Sequence, residues 1–198
     1  MGDIIMNVLR IRKEDSVLVA IDFQEKLMPV MHDAKKLEQT MGKLIKGCRH
    51  IGVPVLVTQQ YTKGLGATIE KLSDALTQAL DENSEKAVFE PIEKTSFSAM
   101  GEPEFVKALE ASGKKTVIMT GIEAHICVQQ TTLDLLEAGY QVFLVEDAVE
   151  SRSKADKKTA LRRMAQSGAI ETTYEAVLFE LVGGAKQPGF KQISAIVK

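Results

Sequence analysis

The sequence TVIMTGIEAHICVQQTTLDLLEAGYQVFLVEDA, residues 116–148, decides the fold of this chain. Its pattern predicts a buried strand over residues 116–119, a turn at Gly121, a helix with Cys127 in its first turn, and a second buried strand over residues 141–145. Strand, helix and strand in this order form the unit from which parallel sheets are built, and ligands bind where the strands of such sheets end. Cys127 is therefore expected at a binding edge.

Two interpretations of Cys127 follow from this position. Most unpaired cysteines are small buried core residues, and Cys127 could be one of them. A thiol in the first turn of a helix, however, lies near free backbone N–H groups and the positive end of the helix dipole, which lower its pKa. The same N–H groups can bind an oxyanion. The position thus makes Cys127 a candidate nucleophile.

The composition is that of an ordinary globular protein. The chain has 198 residues, of which 44% are hydrophobic and 26% charged, so we expect a single domain over residues 1–198. A formal net charge of -2 provides no basic field for nucleic acid or an anionic membrane, which makes a small molecule the expected partner. The first 15 residues lack a secretory leader and a membrane span, which predicts a cytoplasmic protein.

The remaining cysteine and the histidines give no sign of a metal site. Cys48 falls on the apolar face of a predicted helix over residues 34–51, which makes it a core residue. His32, His50 and His125 are not spaced like metal ligands, so we expect no metal and no cofactor. His125 lies next to the nucleophile in sequence and is a candidate to line the pocket.

Two further predicted strands end at ionisable residues. A strand over residues 15–22 ends at Asp22, and a strand over residues 86–92 is followed by Lys94. Between them the sequence predicts a strand over residues 53–58 and a glycine-containing loop, QQYTKGLG, that is either a surface loop or a substrate lid. The other predicted elements are helices over residues 103–111, 154–166 and 174–181 and a final strand over residues 169–172.

The alternation of strands and helices predicts a three-layer α/β/α, doubly wound and mainly parallel sheet of six strands. In such a sheet Asp22, Lys94 and Cys127 follow three different strands and reach the same edge. Together they supply a base, a cation and a nucleophile, which is the minimum set for covalent catalysis by a thiol.

The motifs IDFQ (residues 21–24), EKTSFSA (residues 93–99) and GIEAHICVQQTTLDLLEAGYQVFLVEDA (residues 121–148) resemble those of the isochorismatase-like cysteine hydrolases. This superfamily includes nicotinamidases and N-carbamoylsarcosine amidase. The resemblance implies its Rossmann-like fold, a homo-oligomer, and a catalytic triad of Asp22, Lys94 and Cys127. The segment from residue 58 to residue 72 is similar to the isochorismatase domain-containing branch.

The resemblance also implies an oxyanion hole and shows one departure. It assigns the backbone N–H groups of Glu123 and Cys127 as oxyanion donors and implies a cis peptide bond between Ile122 and Glu123. Nicotinamidases bind a divalent metal through a D-x-H pair and a further His after the second strand, whereas this chain has QQYTKGLG there. The departure argues against nicotinamidase activity and for a metal-free site.

The predicted function is hydrolysis of a small amide or ureido C–N bond through a covalent intermediate on Cys127. Two alternatives stay open, a binding or interaction protein with little catalysis and a thiol redox sensor, although Cys48 is a poor resolving partner for a sensor. The residues predicted to contact the substrate are Phe23, Gln60, Tyr61, Ile122 and Ile126.

Overall fold

A computed structural model describes residues 9–80 and 85–198 of the chain. Its centre is a six-stranded sheet in which every neighbouring pair of strands is parallel. The strands are β1 (Ser16–Ile21), β2 (Val55–Gln60), β3 (Ile92–Lys94), β4 (Thr116–Ile122), β5 (Gln141–Glu150) and β6 (Ile170–Thr172).

The strand order is β3-β2-β1-β4-β5-β6. The chain therefore builds the sheet outward from β1 on one side and from β4 on the other, and the order reverses between these two strands. In an open parallel sheet the crevice at this reversal, outside the carboxyl ends of the strands, is the place where ligands bind. The residues that follow β1 and β4 consequently face the binding crevice.

Helices cover both faces of the sheet, so the predicted three-layer α/β/α architecture is confirmed. The helices are α1 (Ala34–Ile51), α2 (Thr62–Leu65), α3 (Glu70–Thr77), α4 (Pro103–Ala111), α5 (Gln129–Glu137), α6 (Lys154–Gln166), α7 (Tyr174–Val182) and α8 (Phe190–Val197). Within the described parts of the chain, no helix combines the length and apolar character needed to cross a membrane.

Alternate residues of each central strand point to opposite faces and build two separate cores. Leu18 and Ile118 belong to the core under α1, α7 and α8, whereas Val19 and Met119 belong to the core under α4, α5 and α6. Cys48 is fully buried in the first core, which confirms its prediction as a core residue.

The predicted boundaries differ from the structure mainly at β3. The strand predicted over residues 86–92 is wrong, because residues 86–91 have no regular structure and β3 begins at Ile92. Pro91 has no N–H to donate to a neighbouring strand, which disfavours pairing there. The predicted strand over residues 53–58 begins two residues later and extends to Gln60. Of the first 15 residues, which carried the targeting prediction, residues 1–8 lie outside the described residues.

Candidate active site

Asp22 follows β1 and is completely buried. Its backbone has a positive φ of 57°, which is uncommon for a residue other than glycine and turns the chain sharply at the end of the strand. The neighbouring strand holds it in this position. The Asp22 N–H donates to the carbonyl of Thr58 at 3.2 Å, and the Thr58 hydroxyl donates to Asp22 Oδ1 at 2.7 Å.

Lys94 ends β3, and its side chain crosses the end of β2 to reach Asp22. The two side chains are both fully buried and form an ion pair in which Lys94 Nζ lies 2.7 Å from Asp22 Oδ2. The ammonium also donates hydrogen bonds to Gln60 Oε1 at 2.6 Å, to the Phe97 carbonyl at 3.1 Å and to the Ser96 carbonyl at 3.2 Å. Because charge without partners is costly to bury, this complete set of oxygens accounts for the presence of a buried lysine.

Cys127 follows β4 and is 7% exposed. It lies in a π-helical turn, Ala124–Val128, rather than in the first turn of an α-helix as predicted. The turn has wide hydrogen bonds, such as that from the Val128 N–H to the Glu123 carbonyl at 3.3 Å, and α5 begins only at Gln129. Single π-helical turns of this kind occur frequently at functional sites.

The thiol of Cys127 lies close enough to Asp22 and Lys94 for both charges to shift its pKa, so the structure brings the three predicted residues together. Burial raises the pKa of Cys127 to about 12, the charge of Asp22 raises it further, and the charge of Lys94 lowers it. The expectation of a lowered pKa is therefore wrong for the resting site, because burial outweighs the helix terminus. The resting thiol is neutral, and it needs a base to become a nucleophile.

The peptide bond between Ile122 and Glu123 is cis, as the resemblance implied. The Glu123 carboxylate is mostly buried and accepts a hydrogen bond from Arg152 Nε at 2.9 Å, and this bond raises the pKa of Arg152. Sequence patterns gave no sign of Arg152, because it follows β5 in an ordinary polar segment.

Two of the five residues predicted to contact the substrate have side chains in the hydrophobic core. Phe23 and Ile122 are fully buried members of the core under α1, α7 and α8. They were predicted from their position next to motif residues, but alternation along β4 turns the side chain of Ile122 into the core, and Phe23 enters the same core after the turn at Asp22. His125, the further candidate, is partly exposed and forms a hydrogen bond of 2.9 Å between its Nδ1 and Ser151 Oγ.

The other three predicted contacts lie at the edge of the site. Tyr61 is 52% exposed, with a left-handed backbone, and its ring lies where a Cβ on Gly64 would be. Ile126 is partly buried and packs against the core under α4, α5 and α6. The side chain of Gln60 binds Lys94 rather than facing outward.

The segment after β2 contains no Asp, Glu or His between residues 58 and 68. Within residues 9–80 and 85–198, no group of three or more His, Cys, Asp or Glu side chains is placed to hold a metal ion. The segment is held by hydrogen bonds, including that from Gln59 Nε2 to the Thr68 hydroxyl at 2.8 Å and that from Lys26 Nζ to the Gly64 carbonyl at 2.8 Å.

The fold and site together define a doubly wound α/β protein with a thiol, a carboxylate and an ammonium group at the point where the strand order reverses. The isochorismatase domain matches residues 16–176, and the chain belongs to this family. Isochorismatase domain-containing protein 1 of Danio rerio is 41% identical over 92% of this chain, which spans only 61% of that protein. Isochorismatase domain-containing protein 2 of Homo sapiens is 37% identical, with 96% of this chain and 86% of that protein covered.

Solved structures give the same family and fold. MAR1 ribonuclease from Caenorhabditis elegans is 40% identical, with a TM-score of 0.84 over 96% of this chain and 92% of that one. YcaC from Pseudomonas aeruginosa, whose structure contains hexane-2,5-diol and covalent acrylamide, is 26% identical, with a TM-score of 0.85 over 96% of this chain and 93% of that one. The chain thus has the hydrolase fold of the isochorismatase family.

Proposed function

We propose that this protein is a metal-independent cysteine hydrolase that cleaves a small amide or ureido C–N bond. The observation that carries the proposal is the contact of the Cys127 thiol with the fully buried ion pair of Asp22 and Lys94. A buried carboxylate beside a neutral thiol can accept its proton, and a buried ammonium can stabilise the thiolate that results. A role in packing alone does not require two buried opposite charges beside a thiol.

In the proposed reaction Asp22 accepts the thiol proton as the Cys127 sulfur attacks the substrate carbonyl carbon. The carbonyl oxygen becomes an oxyanion, and the backbone N–H groups of Glu123 and Cys127 donate to it. The C–N bond then breaks, and the departing nitrogen takes the proton from Asp22. In the second half Asp22 accepts a proton from water, the hydroxide attacks the acyl carbon, and the thiol leaves with that proton.

Lys94 does not act as a proton carrier in this scheme. Its ammonium is held by the oxygens of Gln60, Ser96 and Phe97 and by the ion pair with Asp22. It therefore serves as a fixed positive charge, which offsets part of the effect of burial on the thiol.

The test is a screen for ammonia release over a library of small primary amides and ureido compounds. We expect turnover with the wild-type protein, loss of at least about a thousandfold in Cys127→Ala, and a wild-type mass increase equal to the acyl group under single-turnover conditions. Cys48→Ala is the matched control, because its thiol is buried in the other core. Turnover that persists in Cys127→Ala would contradict the covalent mechanism.

Cleavage of RNA is a second candidate, favoured by the name of the Caenorhabditis elegans relative that is 40% identical. A formal net charge of -2 speaks against it, because RNA binding depends on neutralisation of phosphates by basic residues. Single-stranded and hairpin RNA oligonucleotides belong in the same screen. RNA cleavage that is lost in Cys127→Ala would replace the amide proposal.

A further inference from the structure

The ammonium group of Lys94 has a fixed direction. Four oxygens surround its three hydrogens, and three of these oxygens belong to the carboxylate of Asp22 and the carbonyls of Ser96 and Phe97. The fourth is Gln60 Oε1, at 2.6 Å the shortest of the four contacts. Among the residues that the structure describes, Gln60 thus supplies the one side-chain oxygen besides the Asp22 carboxylate that accepts a hydrogen bond from this ammonium.

The orientation of the Gln60 amide is determined by its two partners. Its oxygen accepts from Lys94, which cannot accept a hydrogen bond, and its Nε2 donates to the carbonyl of Thr95 at 2.8 Å, which cannot donate one. A rotation of the amide by 180° would place donor against donor and acceptor against acceptor. The oxygen therefore points permanently toward the ammonium.

The backbone of Gln60 is held by a second glutamine. The Gln60 N–H donates to Gln24 Oε1 at 2.7 Å, and Gln24 Nε2 donates back to the Gln60 carbonyl at 3.0 Å and to the Gly66 carbonyl at 2.7 Å. Gln24 is completely buried two residues after Asp22. The segment that follows β1 therefore holds the end of β2 in place beside the contact between Gln60 and Lys94.

We propose that Gln60 is a positioning residue, which holds the Lys94 ammonium against Asp22 and the Cys127 thiol, and that Gln24 fixes Gln60 for this purpose. The assignment rests on the proposed use of Cys127 as the nucleophile. The positioning role requires the neutral amide of Gln60. A carboxylate at residue 60 would add a second negative charge beside the ammonium, and it would oppose formation of the thiolate.

The test measures the rate of Cys127 alkylation by iodoacetamide at pH 8, with the modified peptide quantified by mass spectrometry. Gln60→Glu is expected to slow alkylation about tenfold, which corresponds to about one unit in the pKa of the thiol. The sign of the effect is informative, because a variant that merely loosened the structure would expose the thiol and react faster. An unchanged or faster rate in Gln60→Glu would overturn the proposal.

Gln59→Glu is the matched control for this experiment. Gln59 lies on the same strand, but its side chain bonds to the hydroxyls of Thr68 and Thr62 on the other face. Both hydroxyls can donate to a carboxylate at residue 59, so we expect a folded protein with an alkylation rate within about twofold of wild type. An equal slowing in both glutamate variants would show a general charge effect and would also overturn the proposal.

Gln60→Leu provides a second measurement that does not depend on an introduced charge. In protein labelled with ¹⁵N-lysine, the buried, hydrogen-bonded ammonium of Lys94 is expected to give a protected NH₃⁺ signal, assigned by its loss in Lys94→Met. Loss or broadening of this signal in Gln60→Leu supports positioning, whereas an unchanged signal contradicts it. Both readouts are independent of turnover, so failure of the amide screen and failure of this proposal are distinguishable.

Discussion

Gly121 lies directly against the backbone of Ile21, its partner in the register of β1 and β4. A Cβ built on Gly121 would lie 2.5 Å from both the carbonyl oxygen and the Cβ of Ile21, and the φ of Gly121 is 134°. Any side chain at residue 121 would therefore separate the two strands whose ends carry Asp22 and Cys127. Gly121 therefore keeps close together the two strand ends that carry Asp22 and Cys127.

Gly121→Ala is expected to lower the free energy of unfolding by about 2 to 3 kcal/mol, because the methyl group meets backbone atoms that cannot move aside. Urea unfolding measures the change. Gly42→Ala is the control, since a Cβ at Gly42 meets nothing within 4 Å and the position lies in α1. That variant is expected to be at least as stable as wild type, and equal losses in both variants would contradict the explanation.

Lys94→Met is expected to slow alkylation of Cys127, because Lys94 lowers the pKa of the thiol. It also leaves Asp22 buried without its cation, which typically costs about 3 to 5 kcal/mol. Thiol labelling at pH 8 and urea unfolding measure the two effects. Lys157→Met is the control. Lys157 pairs with Glu150 at 3.3 Å and is not among the groups that shift the pKa of Cys127, so this variant should leave the labelling rate unchanged.

Asp22→Asn is expected to change labelling in the opposite direction. The charge of Asp22 raises the pKa of Cys127, so its removal makes thiolate easier to form and alkylation faster. Turnover is nevertheless expected to disappear, because the amide cannot accept the thiol proton. The Thr58 hydroxyl can still donate to the new side chain as it does to Asp22 Oδ1. Slower labelling in this variant would contradict the assigned electrostatics.

Stability is expected to fall above pH 9. Burial raises the pKa of Cys48 and of Cys127 from 9.0 to about 12, so the unfolded chain releases both thiol protons at a lower pH than the folded chain. The free energy of unfolding therefore decreases between these two values, by about 1.4 kcal/mol per pH unit for each thiol. Urea unfolding of wild type and Cys48→Ala from pH 8 to pH 10.5 isolates the contribution of Cys48 as a difference in slope. Parallel plots of the free energy of unfolding against pH for the two proteins would contradict the contribution assigned to Cys48.

Activity on an identified substrate is expected to survive exhaustive chelation. The segment from residue 58 to residue 68 has no carboxylate or imidazole side chain, and the proposed mechanism uses only groups of the protein. The measurement compares initial rates after dialysis against EDTA with rates in untreated protein. Loss of activity that is restored by zinc, iron or manganese would show that metal-independence is wrong.

The sequence predicted the triad because parallel strands end at one edge, so polar residues that follow buried strands must meet. The sequence could not predict contacts that depend on the direction of a side chain. Gln60 was expected to face the substrate, but it turns toward Lys94. The π-helical turn at Cys127 leaves no mark in the composition, since it differs from an α-helix only in which carbonyl each N–H reaches.

The pKa of Cys127 is the clearest example of a property that position alone does not reveal. A helix terminus suggested an ionised thiol, but the depth of burial decides the outcome, and burial depends on the packing of the whole crevice. The strand predicted over residues 86–92 failed for a different reason. Pro91 has no N–H to donate, and β2 pairs with β3 only from Thr58 onward.

The neutral state of the Cys127 thiol has a consequence for the survival of the protein. Peroxides and adventitious electrophiles react with thiolates far faster than with thiols. In the proposed mechanism the thiolate forms as a substrate carbonyl group is attacked, so little reactive thiolate is present in the intervals between substrates. Slow oxidation of idle protein, in contrast to the rapid oxidation of thiol redox sensors, is therefore expected from the same burial that makes the nucleophile depend on Asp22.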